Sequence, residues 1–133
     1  MLWRGRREDG VDAALCAWLL HRVVDPGAEI FLECAPESSA SPGRSFPAPG
    51  PGDACGFDAL MREFNLSEPA LFRLALIARG AASAERWLTP ESAGVAAVGE
   101  GIGLAFVERE RWLAAALAFG DALYAYCAMR ERG

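Results

Sequence analysis

The stretch from Cys55 to Gly80 carries the clearest pattern of apolar and polar positions in the chain. Four apolar residues in its first half follow the i, i+3, i+4, i+7 spacing of one helix face, namely Phe57, Leu60, Met61 and Phe64. Asn65 then suits a left-handed C-terminal cap, and Ser67 suits the N-cap of a second helix. We expect this second helix to end near Gly80, because a glycine commonly terminates a helix. It is apolar almost all round, so we expect it to lie centrally in the fold.

Helix and strand patterns also occur on both sides of that stretch. Residues Val11–Val24 have helical apolar spacing, and Val107–Arg130 extends the same pattern over the longest predicted helix. Gly120 interrupts the apolar face of this last helix, which indicates that a neighbouring backbone comes close there. Met1–Arg4 and Glu29–Cys34 read as short strands on either side of the first helix, an order that predicts parallel pairing.

Residues 35–54 differ in kind, because five of the eight prolines of the chain lie there. We expect a mobile loop through which neither a helix nor a strand ladder can run. Thr89–Ser92 predicts the start of a further helix, although four glycines after it leave its continuity open. The sequence therefore predicts a mainly α fold, a compact helical domain of about five helices with a small two-stranded N-terminal β element, Met1–Arg4 with Glu29–Cys34.

Composition narrows the class of protein. The 133 residues are 53% hydrophobic and 23% charged, which predicts a single globular domain over 1–133. A net charge of −5 argues against direct nucleic-acid binding, yet it leaves room for a local oxyanion site. No apolar run reaches the roughly 18 residues that span a bilayer, and no signal peptide is evident, so we expect a cytoplasmic protein with reduced thiols and no membrane partner.

Four stretches, taken in order, resemble the C-terminal domain of the chromate-resistance regulator family of the ChrB type. They are VDAALCAWLLHRVVDPGAEIF (Val11–Phe31), CGFDALMREFNLSEPAL (Cys55–Leu71), LALIARGA (Leu74–Ala81) and FGDALYAYC (Phe119–Cys127). The resemblance implies a mainly helical domain of cytosolic bacterial proteins linked to chromate sensing or resistance. Longer members carry a preceding DNA-binding segment, which we do not find here, so no repressor role is expected.

The chain departs from the family pattern where histidines are expected. Glu110 and Ala115 stand at two such positions, the segment before Cys55 lacks another, and Ala82 replaces an aspartate. His21 is the sole histidine of the chain. If the family binds a metal through histidines, this member has lost most of that site, so we expect no metal or other cofactor.

Cys55 is the first candidate ligand-binding residue, because the positive end of a helix lowers the pKa of a thiol and attracts anions. A thiol in that position could react with chromate. The alternative is that Cys55 is a small buried residue that packs against the end of the loop. Asp58 follows in the first turn, where a carboxylate stabilises the helix start. Ligation of a metal by Asp53, Asp58 and Asp121 is a further alternative.

Arg79 requires a carboxylate partner if it is even half buried, and Asp121 in the last helix is the preferred one. Asp12 and Asp25 are alternatives. The ion pair would hold the helices in their relative positions. If Arg79 faces a cavity, it could also bind an anion. Tyr124 is expected to hydrogen-bond into this polar cluster.

Three functions remain open on sequence grounds. The first is a module that senses or binds an oxyanion such as chromate, or its reduced product, near Cys55, Arg79 and Asp121. The second is a degenerate, non-catalytic member that acts as a protein-interaction module, with a homodimer as one option. The third is a small metal-dependent redox or detoxifying enzyme, which the shortage of histidines makes the weakest of the three.

Overall fold

Five α-helices and a small sheet make up most of the described residues, which are 1–33, 43–46 and 52–133 of the computed structural model. The elements in chain order are β1 (Leu2–Arg6), α1 (Gly10–Leu19), β2 (Glu29–Glu33), β3 (Arg44–Ser45), α2 (Gly56–Glu63), α3 (Pro69–Ala82), α4 (Ser92–Ala105) and α5 (Arg109–Arg132). Single 3₁₀ turns precede α1 and α4. The mainly helical fold with about five helices is thus confirmed.

The sheet has the strand order β2-β1-β3, and both pairs are parallel. The predicted parallel pairing of the first two strands is confirmed, with Trp3 opposite Ile30. The third strand is a correction, because Arg44 pairs with Trp3 inside the segment where we expected no ladder. Residues 35–42 and 47–51 of that predicted loop lie outside the described residues, as does Cys34.

Contacts with distant parts of the chain hold β3 in place. The guanidinium of Arg44 lies 5.0 Å from the ring centroid of Trp3 and 5.9 Å from that of Phe64, and it forms an ion pair with Glu63. Phe46 follows the strand and is buried, and its N–H donates to the carbonyl of Arg4 at 2.8 Å. Cation–π stacking and one buried ring compensate for the shortness of the strand.

α1 is the central helix, because its residues from Ala13 to Leu19 are all buried. It packs against α2, α3, α4 and α5. A π-helical turn, Leu20–Val24, continues it, in agreement with the predicted helix end at Val24. α3, which we expected to lie centrally, also packs against the other four helices, although it leaves Phe72 and Leu76 exposed on one side.

The corner between α2 and α3 forms largely as predicted. Asn65 has a left-handed backbone (φ 52°), and the N–H of Leu66 donates to the carbonyl of Met61 at 2.9 Å. The N-cap of α3 is Glu68 rather than Ser67, and Pro69 is the first residue of the helix. α3 continues to Ala82, two residues beyond the predicted end at Gly80.

Glycines allow close packing of the last two helices on α1. α4 is continuous despite its glycines, and a Cβ on Gly99 would lie 2.4 Å from the Cβ of Val11. A Cβ on Gly120 of α5 would lie 2.1 Å from the Cγ of Trp18. The predicted close approach at Gly120 is therefore present, but the neighbour is the indole ring of Trp18 rather than a backbone.

α5 is, within the described part of the chain, the one helix long and apolar enough to cross a membrane by length and composition. Contrary to the sequence expectation, its 18-residue window passes that threshold, and 22% of the window is buried inside the fold. Core helices of soluble proteins pass the same test, so this property alone assigns no membrane role.

Candidate functional site

The N-terminus of α2 lies against α1 and is capped by the carboxylate of Asp12. Cys55, the residue before α2, has an extended backbone and makes no capping hydrogen bond through its own side chain. Asp12 accepts hydrogen bonds from the backbone N–H groups of Gly56 (2.7 Å) and Phe57 (3.2 Å). Because a helix start has free N–H donors and a positive dipole end, this cap joins α1 firmly to α2.

Asp12 is a half-buried carboxylate whose hydrogen-bond partners are uncharged. Burial raises the pKa of its carboxyl, although the backbone hydrogen bonds from α2 and a contact with the thiol of Cys16 oppose that shift. The Sγ of Cys16 lies 3.6 Å from Oδ1 of Asp12. Among the described residues no cation forms an ion pair with Asp12, so the helix start and the thiol supply its polar contacts.

Cys55 is buried, with 4% of its surface exposed. Burial, followed by the negative charge of Asp12, raises the pKa of its thiol to about 12. The predicted lowering of this pKa was wrong, because desolvation outweighs the effect of the helix dipole. The thiolate is the reactive form of cysteine, so at neutral pH this residue is an unreactive thiol.

Arg79 pairs with Asp58 instead of Asp121. Its Nε lies 3.2 Å and its Nη2 3.1 Å from Oδ2 of Asp58, which places the last turns of α3 beside the first turn of α2. Asp58 is mostly buried and Arg79 is partly exposed. The preferred partner from the sequence was therefore wrong, and the helix pair that this ion pair joins is α2–α3.

A groove of about 410 Å³ runs between α2 and α3, and Arg79 lines it. A second guanidinium, that of Arg62, lines the same groove and binds Asp53 through Nε (3.0 Å) and Nη2 (2.7 Å). Phe72 and Leu76 supply an apolar side. The groove thus combines two paired guanidinium groups with an apolar wall.

Asp121 belongs to a different cluster, at the junction of α1 and α5. Its Oδ1 accepts hydrogen bonds from Nε1 of Trp18 (2.8 Å) and Nε of Arg22 (3.1 Å), and its Oδ2 accepts one from Nη2 of Arg22 (2.9 Å). The Arg22 guanidinium holds the pKa of this carboxyl below its usual value. Asp121 therefore fixes the position of α5 on α1.

Tyr124 lies beside that second cluster. Its ring centroid is 5.5 Å from that of Trp18, and its hydroxyl donates to the carboxylate of Glu68. That hydrogen bond raises the pKa of the Tyr124 hydroxyl. Of the six candidate residues, Asp12, Cys55, Asp58 and Arg79 surround the start of α2, whereas Asp121 and Tyr124 contact other residues on α1, α3 and α5.

The described residues contain no group of three or more His, Cys, Asp or Glu side chains that is arranged to hold a metal ion. His21 lies in the π-helical turn, and its buried Nδ1 has no hydrogen-bond partner within the described residues. Cys16 and Cys127 are buried thiols, and burial raises the pKa of Cys127 to about 11.

Two features of these clusters were missed from the sequence. Arg62 was overlooked as a groove residue, although it stands four residues after Asp58 and thus on the same helix face. The pairing of Arg22 with Asp121 had no local signal, because 99 residues separate them.

Comparison with protein families identifies the family to which the chain belongs. The sequence profile of the family described as ChrB, C-terminal domain, matches residues 3–127, which is nearly the whole chain. No curated protein and no solved structure matches the chain. The match confirms the family that the four ordered stretches suggested, and it links the chain to chromate resistance. The protein therefore belongs to the ChrB C-terminal domain family.

Proposed function

We propose that the chain is a chromate-resistance-associated domain that binds an oxyanion in the groove between α2 and α3. The observation that supports this is the presence of two guanidinium groups, those of Arg62 and Arg79, in one groove. Guanidinium groups match the geometry of tetrahedral oxyanions and donate several hydrogen bonds to them. Family membership makes chromate the first ligand to test.

The ion pairs in the groove set what kind of ligand can bind. Arg62 and Arg79 engage their carboxylates through Nε and Nη2, and a guanidinium has five N–H donors in total. Each therefore retains Nη1 donors for an anion. Because Asp53 and Asp58 offset both positive charges, an anion competes with like charge for the two guanidinium groups, so we expect a modest affinity.

Binding without reduction is the form of the function that we propose. Reduction of chromate by a thiol requires an accessible thiolate. The three cysteines in the described part of the chain, Cys16, Cys55 and Cys127, are buried, and burial raises the pKa of each thiol. Cys55 thus supports the helix start next to the groove and is a packing neighbour of the site.

Thermal unfolding with added chromate, sulfate and phosphate tests the proposal, because a ligand that binds only the native state raises its stability. We expect chromate to raise the melting temperature of the wild type and of Cys55→Ser. Arg79→Gln and Arg62→Gln should lose most of the shift. Arg73→Gln is the matched control, since Arg73 lies on α3 but pairs with Glu131 outside the groove. Equal shifts in Arg79→Gln and Arg73→Gln would exclude the groove.

A role as a protein-interaction module is the second candidate function. It is favoured by the apolar positions that the fold leaves exposed on α4 and α5, which include Val98, Leu104 and Met129. If no anion or divalent metal shifts the melting temperature, this second function is the one to pursue.

A further inference from the structure

The groove between α2 and α3 is lined by one face of each helix. Its lining residues follow the i, i+3, i+4, i+7 spacing twice: Asp58, Met61, Arg62 and Asn65 on α2 and the corner after it, and Phe72, Ala75, Leu76 and Arg79 on α3. Phe72 and Leu76 remain 54% and 42% exposed, although both are large apolar side chains. The apolar surface that α3 does not use in the core therefore lies along the groove.

The charged and the apolar parts of the groove lie at different positions along its length. Arg79 follows Phe72 by seven residues, which is about 10 Å along the axis of α3. Asp58, in the first turn of α2, pairs with Arg79, and Asp53, which precedes α2, pairs with Arg62. Both guanidinium groups are thus held toward the start of α2, whereas Phe72 lies in the first turns of α3, near the corner that joins the helices. The groove has a charged end and an apolar end.

An inorganic oxyanion fills only part of this space. The volume of the groove, about 410 Å³, lies in the range of about 300–1,000 Å³ that is typical of sites for small organic ligands. A tetrahedral anion of four oxygens at the charged end does not reach Phe72, which lies about 10 Å further along α3. The apolar end then remains in contact with water.

The ends of the groove indicate a small molecule rather than a segment of another protein. Gly52 and Asp53 line it beside the start of α2, and Asn65 and Leu66 line it at the corner between the helices. The groove is therefore bounded along its length, and a peptide chain would have to continue past one of these ends.

We propose that the ligand of the groove is a small organic oxyanion, whose acidic head binds Arg62 and Arg79 and whose aromatic or aliphatic body lies on Phe72 and Leu76. This inference rests on the proposed function, because it uses the same two guanidinium groups as the anion site. Carboxylates already pair with both groups, so the head alone binds modestly. Burial of the apolar body against α3 then supplies much of the affinity and the selectivity.

Isothermal titration calorimetry of the full chain with methylphosphonate and phenylphosphonate tests the proposal, because the two probes share a head group and differ in the apolar body. We expect the wild type to bind phenylphosphonate about tenfold more tightly, since its ring buries apolar surface and packs on an aromatic side chain. Arg79→Gln should weaken the binding of both probes.

A chain with both Phe72→Ser and Leu76→Ser should lose the preference for phenylphosphonate and keep its affinity for methylphosphonate. Both side chains are exposed, so the fold should tolerate the change, and circular dichroism checks this. A chain with Val98→Ser and Leu104→Ser is the matched control, because these apolar residues are exposed on α4 outside the groove, and it should behave as the wild type.

Equal affinities of the wild type for the two phosphonates would overturn the inference, as would a preference for phenylphosphonate that survives the loss of Phe72 and Leu76. If chromate raises the melting temperature through Arg79 while the two phosphonates bind equally, the proposed function stands and this inference alone fails. If neither chromate nor a phosphonate binds, both fail. Tighter binding of phenylphosphonate that requires Arg79 and the two apolar residues supports the inference.

Discussion

Asp12 and Asp121 connect helices in similar ways but in very different surroundings. Asp12 accepts hydrogen bonds from the backbone of α2, and Asp121 accepts them from Trp18 and Arg22. Asp12 is half-buried and has no cationic partner among the described residues, so desolvation raises the pKa of its carboxyl, whereas the more exposed Asp121 has a guanidinium beside it and a lowered pKa. Solvent access and the charge of the partner, rather than the number of hydrogen bonds, decide the direction.

The two regions also differ in what holds the helices together. At the start of α2, the carboxylate of Asp12 accepts from two backbone donors, and the side chain of the N-cap residue Cys55 caps neither of them. At the α1–α5 junction, shape dominates, because Trp18 fills the space that Gly120 leaves and Tyr124 packs on the same indole. The first region should therefore be sensitive to loss of a polar group, and the second to a gain of volume.

The largest effect is expected for Asp12→Ala. The substitution leaves the N–H groups of Gly56 and Phe57 without an acceptor in a buried place, and it removes a helix cap. We expect the free energy of unfolding to fall by about 3 kcal/mol, as measured by urea denaturation.

Asp121→Ala is the control for that prediction. It removes a carboxylate with as many hydrogen bonds, but Asp121 and Arg22 are both exposed to water. The loss should be smaller, about 1–2 kcal/mol, because the exposed ion pair contributes little and one donor of low exposure, Nε1 of Trp18, loses its acceptor. Equal losses for the two variants would contradict the distinction between the two carboxylates.

Gly120→Ala should have the next largest effect. Its new Cβ would lie 2.1 Å from the Cγ of Trp18, within the ring rather than at the end of a flexible side chain, so either the ring or α5 must shift. We expect the free energy of unfolding to fall by about 2 kcal/mol. Near-ultraviolet circular dichroism should report the displaced indole.

Gly103→Ala is a matched control for Gly120→Ala, because its Cβ would meet no atom closer than the Cγ of Arg7 at 3.9 Å. An alanine in this helical position should raise the free energy of unfolding by roughly 0.5–1 kcal/mol. If both substitutions stabilise the protein, close packing does not hold α5 on α1.

Local sequence patterns predicted most of the fold, because residues only a few positions apart determine where a helix face or a cap forms. The helix face from Phe57 to Phe64, the left-handed Asn65 and the parallel pairing of β1 with β2 are all present. β3 was missed, because a strand of two residues has no period of its own and depends on stacking of Arg44 on Trp3.

The candidate site was less predictable, because its chemistry depends on distances between helices. Nothing in the sequence says whether Arg79 meets Asp58 or Asp121, which lie on different helices. The pKa of Cys55 was predicted in the wrong direction, because a position at a helix start is visible in the sequence and complete burial against α1 is not. The partners and the burial of such groups depend on contacts between distant parts of the chain, so they can be identified only from the structure.

The smallest effect, and the most specific, is the pH dependence of the two aspartates. A raised folded-state pKa means that charged Asp12 lowers stability above that pKa, and that this cost disappears as pH falls toward the unfolded value of 3.8. A lowered folded-state pKa means that Asp121 adds stability above 3.8, which is lost as pH falls through the folded value.

Urea denaturation from about pH 7 to about pH 3 measures both contributions against Asn variants, which lack the titration. On lowering the pH, the wild type should gain stability relative to Asp12→Asn, starting above pH 3.8, and lose stability relative to Asp121→Asn, mainly below it. The opposite slopes are the decisive feature, because general acid unfolding affects the wild type and both variants alike. Slopes of the same sign would mean that Asp12 has a cationic partner in solution, and the contrast between the two regions would then fail.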